Sequence, residues 1–291
     1  MVRVAVLGAG HMGTAVVKRL LSLQYEVHVW NRTFAKAQVL NEDGATVHSE
    51  VRSALQNSDV VVLLLFDHAV ANKVLKDQVD VFKGKDVVDF MTGGSEQARN
   101  LAKHLQSAGA TYLDAVIENH PGDIGTTKAL IYVSCNEEAW LRRRPLIQAL
   151  APAAHYLGTR LGAAAEVDAA LAGAFSTVAM GAWLEALAFL SDAGIDLKDP
   201  AFNLDWWVKQ LQHDMAMAVQ EVSTGDFSTT EATLAINTAA VEQWREVVVS
   251  RGHRANIMSA ALENLRLAMG AGLGEKSWSA QVQVLRVQKR D

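Results

Sequence analysis

The sequence predicts an α/β N-terminal domain with a doubly wound, mostly parallel sheet, followed by an all-α C-terminal domain, the two joined by a long interdomain helix. Three observations predict this. Short β-branched runs alternate with helix-like segments through the first half of the chain. A glycine-rich turn separates the first of those runs from the first helix. Beyond Gly158 strand signals nearly vanish, and long Ala- and Leu-rich patterns take over.

The strand-like runs are "VRVAVLG" (2–8), "EVHVW" (26–30), "DVVVLLL" (59–65), "DVVDF" (86–90), "TYLDA" (111–115) and "ALIYVS" (129–134). Continuous apolar strands of this kind belong to a parallel sheet covered on both faces. The covering helices include "GTAVVKRLLSL" (13–23) and "SEQARNLAKHLQSAG" (95–109). From Leu161 onward the helical patterns break only at "DAGIDLKDP" (192–200), "STGDFSTT" (223–230) and "SRGHR" (250–254). The join lies near 158–164, which divides the chain into residues 1–160 and 161–291.

Composition narrows the function classes. The chain has 291 residues, half of them apolar and a fifth charged, the balance of a soluble globular protein. A net charge of −5 gives no general attraction to nucleic acid or to an anionic membrane. The single Cys135 can form no internal disulfide, which fits a reducing cytoplasm. The N-terminus enters a strand directly, without the basic leader of a signal peptide. Ala169 to Leu184 is an uncharged stretch of sixteen residues, shorter than the roughly 20 needed to span a bilayer, and reads as a buried helix of a soluble protein. The nine histidines are scattered without metal-ligand spacing, so no metal is expected.

Gly8-Ala9-Gly10-His11-Met12-Gly13 fits the G-x-G-x-x-G turn of a Rossmann dinucleotide site, in the required place between strand and helix. Gly8 makes the tight turn, Gly10 lets a pyrophosphate approach the backbone, and Gly13 allows close helix–strand packing. His11 and Met12 lie on the same loop, at the helix N-terminus that receives the phosphates. Such a turn is usually followed, about 20 residues on, by an acid that holds the adenosine ribose of NAD. Here that place reads Asn31-Arg32-Thr33. A carboxylate would repel a 2′-phosphate, whereas the Arg32 fork suits one. Asn31 and Thr33 offer uncharged donors and Lys36 a second cation. The cofactor expected is therefore NADPH.

"VAVLGAGHMG", "VWNRT", "DFMTGGSEQARNLA", "DAVIENHPGDIGT", the helix after "YLG" and "GDFSTTEATLAINTAAVEQW" together resemble the β-hydroxyacid dehydrogenase superfamily, and within it the imine reductase and reductive aminase family. Hydroxyacid dehydrogenases carry a G-x-G-x-x-x-K-x-x-x-N pattern on the helix after the Rossmann domain. By that resemblance the lysine place is Asp168 and the asparagine place Ala172. No lysine occurs between Lys128 and Lys198. The imine reductases have Asp or Tyr at this place, so the resemblance makes Asp168 the catalytic acid. A carboxylate suits the chemistry, since it either stabilises an iminium cation or, with a raised pKa, delivers the proton. The plainer role of a helix-dipole partner stays open for it.

At α-helical spacing Asp168, Ala172, Phe175 and Ala179 share one stripe, with Ser176 and Met180 beside it. The resemblance places Ser176 where relatives have a pocket tyrosine, and Trp207 on a pocket tryptophan. It places Thr92 beside the nicotinamide and His120-Pro121 on a loop bordering the site. Ser95 reads as a helix N-cap. A helix apolar on most of its circumference needs cover on all sides. The resemblance supplies it as an interlocked homodimer, with Ile236 and Val241 reaching the partner's pocket. The activity implied is NADPH-dependent reduction of a C=N bond, on a small-molecule imine or a ketone plus amine. A hydroxyacid dehydrogenase is the alternative that the missing lysine disfavours, and a non-enzymatic NADPH-binding module is another.

Overall fold

In the computed structural model, which describes residues 2–199 and 202–286, the β-branched runs become strands of a single sheet. The strands are β1 (Arg3–Leu7), β2 (Glu26–Trp30), β3 (Thr46–His48), β4 (Val60–Leu63), β5 (Asp86–Asp89), β6 (Thr111–Ile117), β7 (Leu130–Ser134) and β8 (Ala153–Tyr156). Their order is β3-β2-β1-β4-β5-β6-β7-β8, and among the described residues only the β6–β7 pair is antiparallel. The register sets Val4 between Val27 and Val60. The order reverses between β1 and β4, the switch point where ligands of doubly wound sheets bind.

Two strands escape the sequence patterns. Thr46–His48 is too short for a period to register, and Ala153–Tyr156 is a part-exposed edge strand that follows Pro152. Strand alternation sorts the apolar side chains to two faces. Val4, Val6, Val29, Val62 and Val88 pack on one, beneath α1 (His11–Ser22) and α6 (Glu137–Leu150). Ala5, Leu7, Val61, Leu63 and Tyr112 pack on the other, beneath α3 (Val51–Gln56), α4 (His68–Leu75) and α5 (Ser95–Ser107). Short α2 (Phe34–Gln38) follows β2.

The chain separates into two compact units, 1–175 and 176–291. A helical run, Ala163–Asp192, crosses that division. It starts as α7 (Ala163–Asp168), continues as a π-helix over Ala169–Thr177 and ends as α8 (Val178–Asp192). The run is long and apolar enough to cross a membrane, and none of its most apolar window is buried within the chain. Leu171, Phe175, Val178, Met180 and Leu184 of the run are exposed, which leaves it a wide apolar face toward solvent in the single chain.

The second unit holds α8, α9 (Leu204–Thr224), α10 (Leu234–Ser250) and α11 (Asn256–Gly270), followed by a 3₁₀ segment, Trp278–Val284. The breaks fall where the sequence places them, except that Pro200 lies outside the described residues. Its own core is small: Phe227, Leu234, Val241, Leu262, Leu265, Ala268 and Ala280. Glu185 caps α11 by accepting from the amides of Asn256 and Ile257 at 3.0 and 3.3 Å.

Candidate active site

The glycine turn has the shape its residues imply. Gly8 takes φ +116°, and a Cβ there would lie 2.2 Å from the Leu64 carbonyl oxygen. A Cβ on Gly13 would lie 2.0 Å from the Gly8 carbonyl oxygen, so α1 meets β1 closer than any side chain permits. Around Gly10 nothing lies within 4 Å, which leaves the backbone open to a phosphate. Gly10 is the N-cap of α1 and offers no capping side chain to the first amides of the helix. His11 is exposed and Met12 half-buried at that first turn. A dinucleotide fits this cradle.

Asn31 has a task besides the one expected. Its Oδ1 accepts from the Ala9 amide at 3.0 Å and its Nδ2 donates to the Thr33 carbonyl at 2.8 Å. It thereby braces the glycine turn against the loop after β2, while its Nδ2 carries a second N–H. Arg32, Thr33 and Lys36 are exposed, and neither cation forms an ion pair among the described residues. Two unpaired cations beside the turn are what a 2′-phosphate requires.

The loop after β5 carries Thr92, which is exposed. It is held from below by Asp89, 1% exposed. That carboxylate accepts from the Met91 amide at 2.8 Å, from His68 Nε2 at 2.9 Å and from the Tyr112 hydroxyl. Burial works against a charged His68, but the hydrogen bond and charge of Asp89 outweigh it and leave its pKa raised. Ser95 is not the N-cap of α5. Gly94 is, and the side chain of Gln97 accepts from the Gly94 amide at 2.9 Å.

Asp114 on β6 fixes the start of α7. It accepts from the amides of Gly162 and Ala164 at 3.0 and 3.2 Å, and from the Ser134 hydroxyl at 2.8 Å. Six residues past Gly162, Asp168 ends α7. It is half-buried, and burial pushes its carboxyl up. No ion pair engages it among the described residues.

The stripe drawn at α-helical spacing does not survive. From Ala169 to Thr177 the helix is π-wound, with bonds from i to i+5, so positions beyond Asp168 fall behind the 3.6 period. Ala172, four positions on, stays near the Asp168 face in either winding, but Phe175 and Ala179 do not continue a straight line from it. π-segments inside helices are frequent at functional sites.

The other pocket candidates belong to the second unit. Ser176, Met180, Trp207 and Ile236 are exposed there, Trp207 to 60%. Trp207 stands between two clefts of that unit, of about 890 and 630 Å³. Val241 is different: it is buried in the core of the second unit beside Leu234, Leu262 and Leu265. Its expected reach into a partner's pocket is corrected, because its side chain is spent on its own unit's packing.

Residues 3–158 match the NAD binding domain of 6-phosphogluconate dehydrogenase, and residues 161–287 match the NADPH-dependent reductive aminase-like C-terminal domain. The chain belongs to the imine reductase and reductive aminase family. An NADPH-dependent reductive aminase of Aspergillus oryzae is 27% identical over 294 residues, covering 98% of each chain. The structure of an imine reductase from Pseudomonas sp. superposes with a TM-score of 0.92 at 28% identity, over 98% of this chain and 99% of that one. An imine reductase from Myxococcus stipitatus in complex with NADP+ gives 0.92 at 26% identity, over 98% and 100%. The roles of Asp114 at the start of α7 and of Asn31 as a brace are parts of the site that sequence patterns do not show. An acid at the fourth position of a β-strand and an amide beside a glycine turn are visible in sequence, but their partners are not.

Proposed function

We propose that this protein is an NADPH-dependent imine reductase, acting on a small-molecule imine or on a ketone plus amine. The observation that carries it is Asp168: a half-buried carboxyl of raised pKa, outside any ion pair, at the place where hydroxyacid dehydrogenases need an ammonium. An ammonium protonates an alkoxide. A carboxyl instead protonates an imine nitrogen or faces the iminium cation, and Asp168 is suited to both.

Gly8, Gly10, Gly13 and the first turn of α1 hold the pyrophosphate of the dinucleotide, and Arg32 with Lys36 holds its 2′-phosphate. Thr92 stands beside the nicotinamide, on a loop fixed by Asp89. The bound dinucleotide supplies a hydride. Ser176, Met180, Trp207 and Ile236 are proposed to line the substrate side, with Ser176 leaving room where relatives have a phenol.

A homodimer completes the proposal. The exposed apolar helix and the exposed Leu184, Val219 and Trp244 need a cover, and a second copy provides one of matching chemistry. A reducing cytoplasm is proposed as its compartment, since Cys135 is buried and its thiol pushed up to about 12 by burial.

The test is to follow NADPH oxidation with a cyclic imine, and NADP+ reduction with a 3-hydroxy acid. Turnover of the imine alone supports the reading. Turnover of the hydroxy acid alone overturns it.

A further inference from the structure

Side chains on β6 alternate between faces, so Asp114, Val116 and the next even position, Glu118, leave one side of the sheet. Asp114 identifies that side, because its carboxylate reaches the amides of Gly162 and Ala164 at the start of α7. Asp168 lies one helical turn beyond Ala164 and therefore on the same face of the helix. Glu118 and Asp168 thus leave neighbouring elements one step outward from an established contact, and α7 packs along β6.

Glu118 is half-buried, and its Oε1 is wholly enclosed without a hydrogen-bond partner. A buried ionised oxygen with no donor is costly, and taking up a proton removes the cost. Burial first, and then the charge of Asp168, pushes the Glu118 carboxyl up.

The other charged groups around the pair are committed or exposed. Glu166 of α7 pairs with Arg160 at 2.7 Å and with Arg99 of α5 at 3.8 Å. Asp114 is occupied by Ser134 and the two amides. In the segment after β6, His120 and Lys128 are exposed and Asp123 partly so, and none of the three forms an ion pair among the described residues. Among the described residues, therefore, no cation forms an ion pair with either carboxyl.

We propose that Glu118 and Asp168 hold one proton between them, and that Glu118, acting through Asp168, keeps that proton available to a neutral imine nitrogen. This rests on the imine reductase reading. A carboxyl O–H bond of the pair breaks and an N–H bond forms, leaving both carboxylates ionised beside the iminium. A bound NADPH would supply the hydride that reduces the iminium carbon, and solvent would return a proton to the pair. Glu118 is a positioning residue in this scheme: without its like charge, Asp168 releases its proton at a lower pH.

Glu118→Gln keeps the shape and removes the titration. With a neutral cyclic imine, the alkaline limb of its kcat/KM profile is expected to move to lower pH. The rate at the wild-type optimum should fall about tenfold or more. A permanently cationic N-alkyl iminium, which needs no proton, should be reduced at close to the wild-type rate. An unmoved alkaline limb, or equal loss on both substrates, overturns the proposal.

A second measurement needs no activity: a pH titration of ¹³C-labelled side-chain carboxyls in the protein alone. Beside the raised step of buried Asp114, a step of the pair above the ordinary range is expected in the wild type, and the carboxyl left in Glu118→Gln or in Asp168→Asn should titrate at lower pH than that step. Two ordinary, independent steps overturn the shared proton. If Glu118→Gln does not fold, a downward move of the remaining Glu118 step in Asp168→Asn still decides. A wild type that reduces no imine but shows the raised step would sink the functional reading and leave the coupled pair standing.

Discussion

Asn31 joins two loops that are 22 residues apart in sequence, accepting from the Ala9 amide at 3.0 Å while donating to the Thr33 carbonyl at 2.8 Å. The glycine turn and the phosphate-binding loop are therefore one braced unit. Asn31→Ala is expected to raise the KM for NADPH and for NADH by a similar factor. Loss of one such hydrogen bond is worth about 0.5–1.5 kcal/mol, or roughly two- to tenfold. A loss confined to NADPH would show that Asn31 contacts the 2′-phosphate after all.

Arg32 separates the two cofactors. Its guanidinium is exposed and unpaired, so Arg32→Ala should raise the KM for NADPH and leave that for NADH nearly unchanged. A charge-assisted contact of this kind is worth about 1.5–3 kcal/mol, or on the order of ten- to a hundredfold. Steady-state kinetics with both cofactors checks this, and equal loss with both would refute it.

Asp168→Asn removes the acid without emptying its place. Imine reduction should fall by about 10²–10⁴-fold, the range of a positioned acid or charge-stabilising group. NADPH affinity by fluorescence titration and the circular dichroism spectrum should stay close to wild type. If the variant unfolds instead, Asp168 serves the helix and not the reaction.

The exposed apolar helix predicts assembly. Sedimentation should give a dimer, with an interface above the standard size of about 1,600 Å². Leu184 is 57% exposed in the single chain. Leu184→Glu should therefore dissociate or precipitate the protein, because a charge there loses water on dimerisation. A wild-type monomer with full activity at high dilution would refute the dimer.

Acid stability has an identifiable contributor. Asp59 accepts from Arg3 Nη2 at 2.7 Å and from the Arg3 amide at 3.1 Å, and the hydrogen bond from Arg3 holds its carboxyl down at about 2. Because the folded value lies below the ordinary one, the stabilisation is present above about pH 4 and is lost as pH falls through about 2. The side chains are about two-fifths exposed, so after solvent screening the contribution is about 0.5–1 kcal/mol. Asp59→Asn should lower the melting temperature slightly at pH 7. It should match the wild type near pH 2, where equal losses at both pH values would point to packing instead.

The sequence by itself determined the alternation that makes a doubly wound sheet, the glycine turn at its switch point, the basic residue in place of the ribose-binding acid, and the change to helices after Gly158. These are local: apolar period, turn chemistry and charge are written in consecutive residues, and each strand of more than three or four core residues was legible. The short strand Thr46–His48 and the edge strand Ala153–Tyr156 were not, because neighbouring strands rather than their own residues make them strands. Tertiary structure also decided the use of individual polar groups. Asn31 was spent on a brace, Val241 on a core, and Asp114 on the first amides of α7. Glu118 came within the electrostatic reach of Asp168, 50 residues away in sequence, because β6 and α7 lie side by side, which no spacing reveals. The π-winding after Asp168 shifted the helix face away from the α-helical period on which the sequence reading relied. Hydrogen-bond partners are chosen by packing, and packing joins residues that the chain keeps far apart.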